Sequence, residues 1–164
     1  MTNLNIPINE SYHINIDAED ELSVKLHKWS VCGSYPHQSV GRNIQVSGSG
    51  AQRKTMWQSL AQYLLNTESV VDHIDRNPFN NCKDNLRICT VHQNTFNRAK
   101  YRGNPTSKYK GVSWNAKHKR WYAFIRFNGK RIYLGNFEVE ANAARAYNDA
   151  AMQFFKEFAY LNQI

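Results

Sequence analysis

The spacing of hydrophobic positions changes repeatedly along the 164 residues, and each change predicts an element. Tyr12, Ile14 and Ile16 alternate with polar residues, the period of a half-buried strand. Asp17 then stands as N-cap of a short helix carrying Leu22, Leu26 and Trp29 on one face. The carboxylates Asp17, Glu19, Asp20 and Glu21 suit the positive end of that helix. Residues 31–35 predict a strand that stops near Pro36. Gly48-Ser49-Gly50 marks a turn, and Trp57, Leu60 and Leu64 predict a helix over 55–66. Val70 and Val71 lead a short strand into Asp72-His73. Asn77-Pro78 and Asn80-Asn81 mark a turn-rich loop, and residues 85–89 form a returning strand. Thr90-Val-His-Gln93 has the capping-box form, so a helix starts there with Asn94 and Asn97 on one face.

Residues 99–107 carry Gly, Asn-Pro and Ser and read as a linker. Beyond Lys108 the period becomes two. A first strand covers 109–114. Arg120 to Phe127 alternates, with Trp121, Ala123, Ile125 and Phe127 on one face and Tyr122, Phe124 and Arg126 on the other. Asn128-Gly129 is a hairpin turn. Residues 131–135 return with Ile132 and Leu134 inward and Arg131 and Tyr133 outward. A helix over 140–155 is rich in alanine, so it can pack closely on a three-stranded sheet. The fold class is α+β. A domain over 1–99 contains the strand–loop–strand–helix unit 70–98. A basic linker follows at 100–106, and a three-stranded antiparallel sheet packed on one helix fills 107–164.

Charge sharpens this division. The net charge is +8, yet residues 1–98 hold 9 Lys+Arg against 9 Asp+Glu, while residues 99–164 hold 12 against 4. A basic binding module therefore follows a near-neutral one, and a polyanion is the expected partner. Cys32, Cys82 and Cys89 form no Cys-x-x-Cys pair. Free thiols fit them better than a mixed site of Cys82, Cys89 and His92, and a reducing compartment is implied. No structural zinc is expected. The N-terminus lacks the basic flank and apolar run of a signal peptide, and no run has the length of a membrane span. The expected setting is intracellular and cytoplasmic, without a membrane partner.

Asp72-His73, Asn85-Leu86-Arg87 and Gln93-Asn94, taken together, resemble the HNH nuclease motif in the Asp-His…Asn…Asn form of phage and intron-encoded homing endonucleases. The resemblance implies a ββα unit that holds one divalent ion between two strands and a helix. Carried over by position, Asp72 and Asn94 are the metal ligands. His73 is the general base that activates water, and Asn85 holds the imidazole. The chemistry is coherent, because phosphodiester hydrolysis needs a base near neutral pH and a cation for the charge on the phosphate. A carboxylate and an amide oxygen are hard ligands suited to Mg²⁺ or Mn²⁺. The strand, acidic turn, Leu-x6-Trp segment and helix before the motif loosely resemble the N-terminal part of phage HNH proteins. They are expected to build the core behind the nuclease unit.

Residues 107–162 resemble the AP2/ERF DNA-binding domain. The carrying residues are Tyr-Lys-Gly-Val (109–112), Ala-x-Ile-Arg (123–126), Tyr-Leu-Gly-x-Phe (133–137), Ala-Ala-Arg-Ala-Tyr-x-x-Ala-Ala (143–151) and Ala-x-Leu-Asn (159–162). The resemblance implies that the outer sheet face enters the major groove of duplex DNA. That face carries Lys110, Ser113, Asn115, Tyr122, Phe124, Arg126, Arg131 and Tyr133. Lys110, Ser113 and Asn115 stand at the family's Arg positions, Tyr133 replaces a Trp and Phe124 an acidic residue, while Arg126 and Arg131 are retained. The base preference of the plant family therefore does not transfer. Lys100 and Arg102 in the linker are expected as further phosphate contacts, which a solvated basic linker also allows.

These features together point to a two-module, metal-dependent DNA endonuclease of homing or phage mobile-element type. With one motif per chain, it is expected to act as a monomer that nicks one strand. A DNA-binding regulator with a silent nuclease motif and a structure-specific or repair nuclease are the alternatives.

Overall fold

The computed structural model describes residues 2–34, 38–100 and 105–164. Two compact units divide the chain, Met1–Val91 and His92–Ile164. Arg102 and most of the linker lie outside the described residues, as does the end of the strand expected near Pro36.

In the first unit, β1 (Asn3–Pro7) and β2 (His13–Asp17) form an antiparallel hairpin, with Ile6 opposite Ile14 and Leu4 opposite Ile16. The alternation along β2 buries Ile14 and Ile16, which join Val24, Trp29, Val40 and Leu60 in the core. α1 (Glu21–Lys25) is shorter than its periodicity suggests. Leu22 and Leu26 are 80% and 79% exposed, so the helix packs through Val24 instead. Trp29 Nε1 donates to the Val24 carbonyl and fixes the exit from the helix. Asp17 makes no side-chain cap for the short 3-10 turn that precedes α1.

The helix expected over 55–66 is half strand. β3 (Ser30–Cys32), β4 (Ser39–Ser47) and β5 (Lys54–Ser59) make an antiparallel sheet in that order. Asn43 of β4 lies opposite Trp57, and that nine-residue partner overrides the helical spacing of Trp57, Leu60 and Leu64. Only α2 (Leu60–Leu64) is helical, started by a capping box between Ser59 and Gln62. β6 (Val70–His73) and β7 (Leu86–Cys89) then pair antiparallel, with Val70 opposite Cys89 and His73 opposite Leu86.

α3 (Val91–Phe96) begins at the boundary and groups with the second unit. Phe96 stacks on Phe155 with ring centroids 3.9 Å apart. Lys110 Nζ donates to the Phe96 and Arg98 carbonyls at 2.7 and 2.6 Å, at the negative end of α3. These contacts place the division ahead of the linker at 100–106, where composition alone suggested it.

The rest of this unit follows the sequence pattern closely. β8 (Val112–Asn115), β9 (Arg120–Phe127) and β10 (Lys130–Phe137) form an antiparallel sheet with β9 central. α4 (Glu140–Phe155) lays Ala143 and Ala144 against Tyr109, Val112 and Ala123. Asn128 and Gly129 have φ of 48° and 74°, the two left-handed residues of a tight hairpin turn. Gly111 has φ of 75°, and a Cβ there would meet the Tyr147 ring at 2.0 Å. Buried Asn162 accepts from Lys110 N and donates to Lys110 O, while its backbone exchanges two hydrogen bonds with the Asn148 side chain. The C-terminal segment is thereby tied to the start of the sheet. No helix among the described residues is long and apolar enough to cross a membrane.

Candidate active site and nucleic-acid face

Asp72 and His73 end β6, so the strand pleat sends them to opposite faces. Asp72 is buried and paired with Arg87 opposite it on β7. The guanidinium contacts fall at 2.9 Å (Nε) and 2.5 Å (Nη2), both on Oδ2. The His73 imidazole presents Nε2 to Asn81 Oδ1 at 3.1 Å. Asn81 Nδ2 donates to the Pro78 carbonyl at 3.0 Å, which fixes the orientation of the amide. An amide oxygen facing Nε2 requires a proton on that nitrogen, so the neutral ring carries its lone pair on Nδ1. Burial pushes the imidazole pKa below its ordinary value, against the opposing pull of Asn81, Asp75 and Asp72.

Asn85 has different partners from those expected of it. Its Nδ2 donates to Asp75 Oδ1 and to the Asn80 carbonyl, and its Oδ1 accepts from Asp75 N. It shapes the loop between the strands, and the amide at the imidazole belongs to Asn81. Sequence offered two neighbouring asparagines at 80–81 only as turn residues. The signal that distinguishes them is burial: Asn81 is 1% exposed, and a buried amide must be hydrogen-bonded.

The loop is in turn held by the N-terminal strands. Asn15 N donates to the Phe79 carbonyl, and Asn81 N donates to the Asn15 carbonyl. Tyr12 stacks on Phe79 at 5.4 Å. Asp17, expected to cap a helix, accepts from Lys83 N at 2.8 Å, and Glu19 and Asp20 bind the Lys83 ammonium. Residues 1–69 thus do more than form a core: β2 is the template for the loop that carries Asn81. Cys82 and Cys89 are buried and Cys32 is exposed. Among the described residues no three His, Cys, Asp or Glu side chains converge as a metal cluster. Asn94, on α3, is half-buried in the second unit.

On the sheet of the second unit, Tyr122, Phe124 and Tyr133 form one outer cluster, with ring centroids 5.3–6.1 Å apart. Arg131 lies opposite Arg126, and its guanidinium sits 3.6 Å from the centre of the Phe124 ring. Both arginines are exposed. Two like charges directly opposite on a sheet are unfavourable, a cost that an anion removes. Ser113 lies opposite Tyr122 on the same face. Other expected contacts are engaged internally. Asn115 Oδ1 accepts from His118 N in the β8–β9 turn, and Lys110 caps α3. Lys100 Nζ donates to the Tyr109 and Val112 carbonyls, and burial lowers its pKa.

No family model matches the chain. It is similar to an uncharacterized HNH endonuclease of Acanthamoeba polyphaga mimivirus, 31% identical over 144 residues, which cover 86% of this chain and 74% of that protein. Protein 3.8 of Escherichia phage T7 is 38% identical over 61 residues, 37% of this chain and half of that protein. APETALA2-like protein 2 of rice is 43% identical over 49 residues, 30% of this chain and 11% of that protein. The plant similarity is thus confined to one segment, whereas the similarity to the mimivirus protein runs through most of both chains. With its Asp72-His73 strand end, returning strand and following helix, this chain belongs to the HNH endonuclease family.

Proposed function

We propose that the chain is a divalent-metal-dependent DNA endonuclease of homing or phage mobile-element type. The first unit brings the hydrolytic base, and the second holds duplex DNA on the outer face of its AP2-like sheet. The reading is carried by the His73 imidazole, half-buried at the end of β6 and held by Asn81 with its lone pair on Nδ1. The imidazole takes a proton from water as the water oxygen bonds to phosphorus and the bridging P–O bond breaks. A lowered pKa keeps the ring neutral, as a base must be. Arg126 and Arg131 hold backbone phosphate and reach base edges.

The donor chemistry fits the ion that the family implies. Asp72 offers carboxylate oxygen and Asn94 amide oxygen, both hard donors suited to Mg²⁺ or Mn²⁺. These two residues would hold it, and when bound it supplies positive charge to the phosphate and the leaving oxygen.

One observation favours a second reading, a DNA-binding regulator with a silent motif: Arg87 already occupies Asp72 Oδ2. Supercoiled plasmid incubated with and without Mg²⁺, with ends mapped at nucleotide resolution, separates the two. The expected first product is nicked circle, broken on one preferred strand, because one motif cuts one strand per encounter. DNA binding without any Mg²⁺-dependent strand break would establish the silent-motif reading. Linear DNA as first product, with a dimer mass in solution, would replace the monomeric nickase by a paired-subunit cutter.

A further inference from the structure

We infer that the Tyr122/Phe124/Tyr133 cluster reads pyrimidine 5-methyl groups in the major groove, and so selects the DNA sequence on which the second unit sits. The inference rests on the proposal that this face binds duplex DNA. It starts from what the face offers at its centre, which is ring surface rather than donors. Tyr133 is 49% exposed and stands opposite Phe124 across β9 and β10. Both tyrosine hydroxyls are turned to their own neighbours, Tyr133 accepting from Asn136 Nδ2 at 2.9 Å and Tyr122 lying 3.0 Å from His118 Nδ1. An apolar surface needs an apolar counterpart. On the major-groove edge of ordinary base pairs that counterpart is the thymine methyl; 5-methylcytosine presents the same group.

Two other occupants fit less well. Unpaired bases stack on an open ring face, but Arg131 covers Phe124 at 3.6 Å and the three rings are tilted against one another by 48–56°. A protein partner would have to accept the exposed Arg126 and Arg131 placed side by side at the edge of the patch. Residues 92–164 also carry 13 Lys+Arg against 4 Asp+Glu. That charge complements a polyanion, and the ring cluster then supplies the selectivity that phosphate contacts lack.

The test changes the DNA, so it does not depend on whether a variant folds. The full chain selects duplexes from a randomised pool, and the recovered sequences are resynthesised with deoxyuridine for thymidine, one position at a time. At the contacted positions each lost methyl is expected to weaken binding about fourfold, the worth of one buried carbon. Replacing a contacted thymidine by deoxycytidine (with guanine opposite) should weaken binding, and 5-methyldeoxycytidine should restore it if the methyl alone is read. If it does not restore binding while deoxyuridine still weakens it, thymine is the source. Phe124→Ala and Tyr133→Ala should each shrink the thymidine–deoxyuridine difference, read as the ratio of the two affinities within one variant. Equal affinity for thymidine and deoxyuridine at every position, with duplex binding intact, overturns this inference and leaves the duplex reading standing. Failure to bind any duplex, or tighter binding to the single strand, overturns both.

Discussion

Replacing Asn81 by alanine isolates the part of catalysis that depends on how the imidazole is held. The side chain makes two hydrogen bonds, to His73 Nε2 and to the Pro78 carbonyl. At about 1 kcal/mol net each, their loss should destabilise the first unit by about 2 kcal/mol, measurable as a lower denaturant midpoint. The kinetic effect is separate. A positioned general base is worth roughly 10²- to 10⁴-fold. Asn81→Ala leaves the base present but frees its ring orientation and its tautomer, so the loss should be smaller, about 10- to 100-fold. Protonation does not explain such a loss, because Asn81 raises the imidazole pKa and removing it moves the ring further toward neutral. Single-turnover nicking at saturating DNA and Mg²⁺ is the assay, with DNA affinity measured alongside. Asn81→Asp keeps an acceptor for Nε2–H and should recover part of the rate. A folded Asn81→Ala protein that nicks within twofold of the parent would refute the role of Asn81. An Asp variant no faster than the Ala variant would refute the tautomer argument.

His73→Ala should lower nicking by roughly 10²- to 10⁴-fold with DNA affinity unchanged; nicking at the parental rate would remove His73 as the base. Arg126→Ala and Arg131→Ala should each weaken duplex binding and make the slope of log K against log salt shallower by about 1 where the side chain meets a phosphate. An unchanged slope and affinity for both would move DNA off this face. Gly111→Ala combines a left-handed backbone with a Cβ 2.0 Å from the Tyr147 ring. Strain of about 1–3 kcal/mol and overpacking of a similar size should unfold or loosen the second unit and abolish duplex binding. A Gly111→Ala protein with parental denaturant stability would contradict the packing described for Tyr147.

The second unit was legible because its determinants are local. Alternation over Arg120–Phe127 and Asn128-Gly129 at the turn define a meander that pairs neighbours in sequence, and the alanine-rich helix bounds it. The order strand, loop, strand, helix at the motif was legible for the same reason. Residues 10–69 were not. The spacing of Trp57, Leu60 and Leu64 fits a helix, and only the pairing of β5 with β4 decides that Trp57 belongs to a strand. Leu22 and Leu26 read as a buried face, yet the short α1 buries Val24. At the site, sequence supplied Asp72 and His73 at the end of a strand. Which amide meets the imidazole was decided by β2, since hydrogen bonds from Asn15 to Phe79 and from Asn81 to Asn15 dock the loop across more than 60 residues of chain. Likewise Lys100, Lys110 and Asn115 carry donors and acceptors suited to DNA, but nearby backbone groups in the folded unit take them up. Buried backbone groups must be satisfied, and the side chains that satisfy them are chosen by proximity in the fold, which spacing along the chain does not encode.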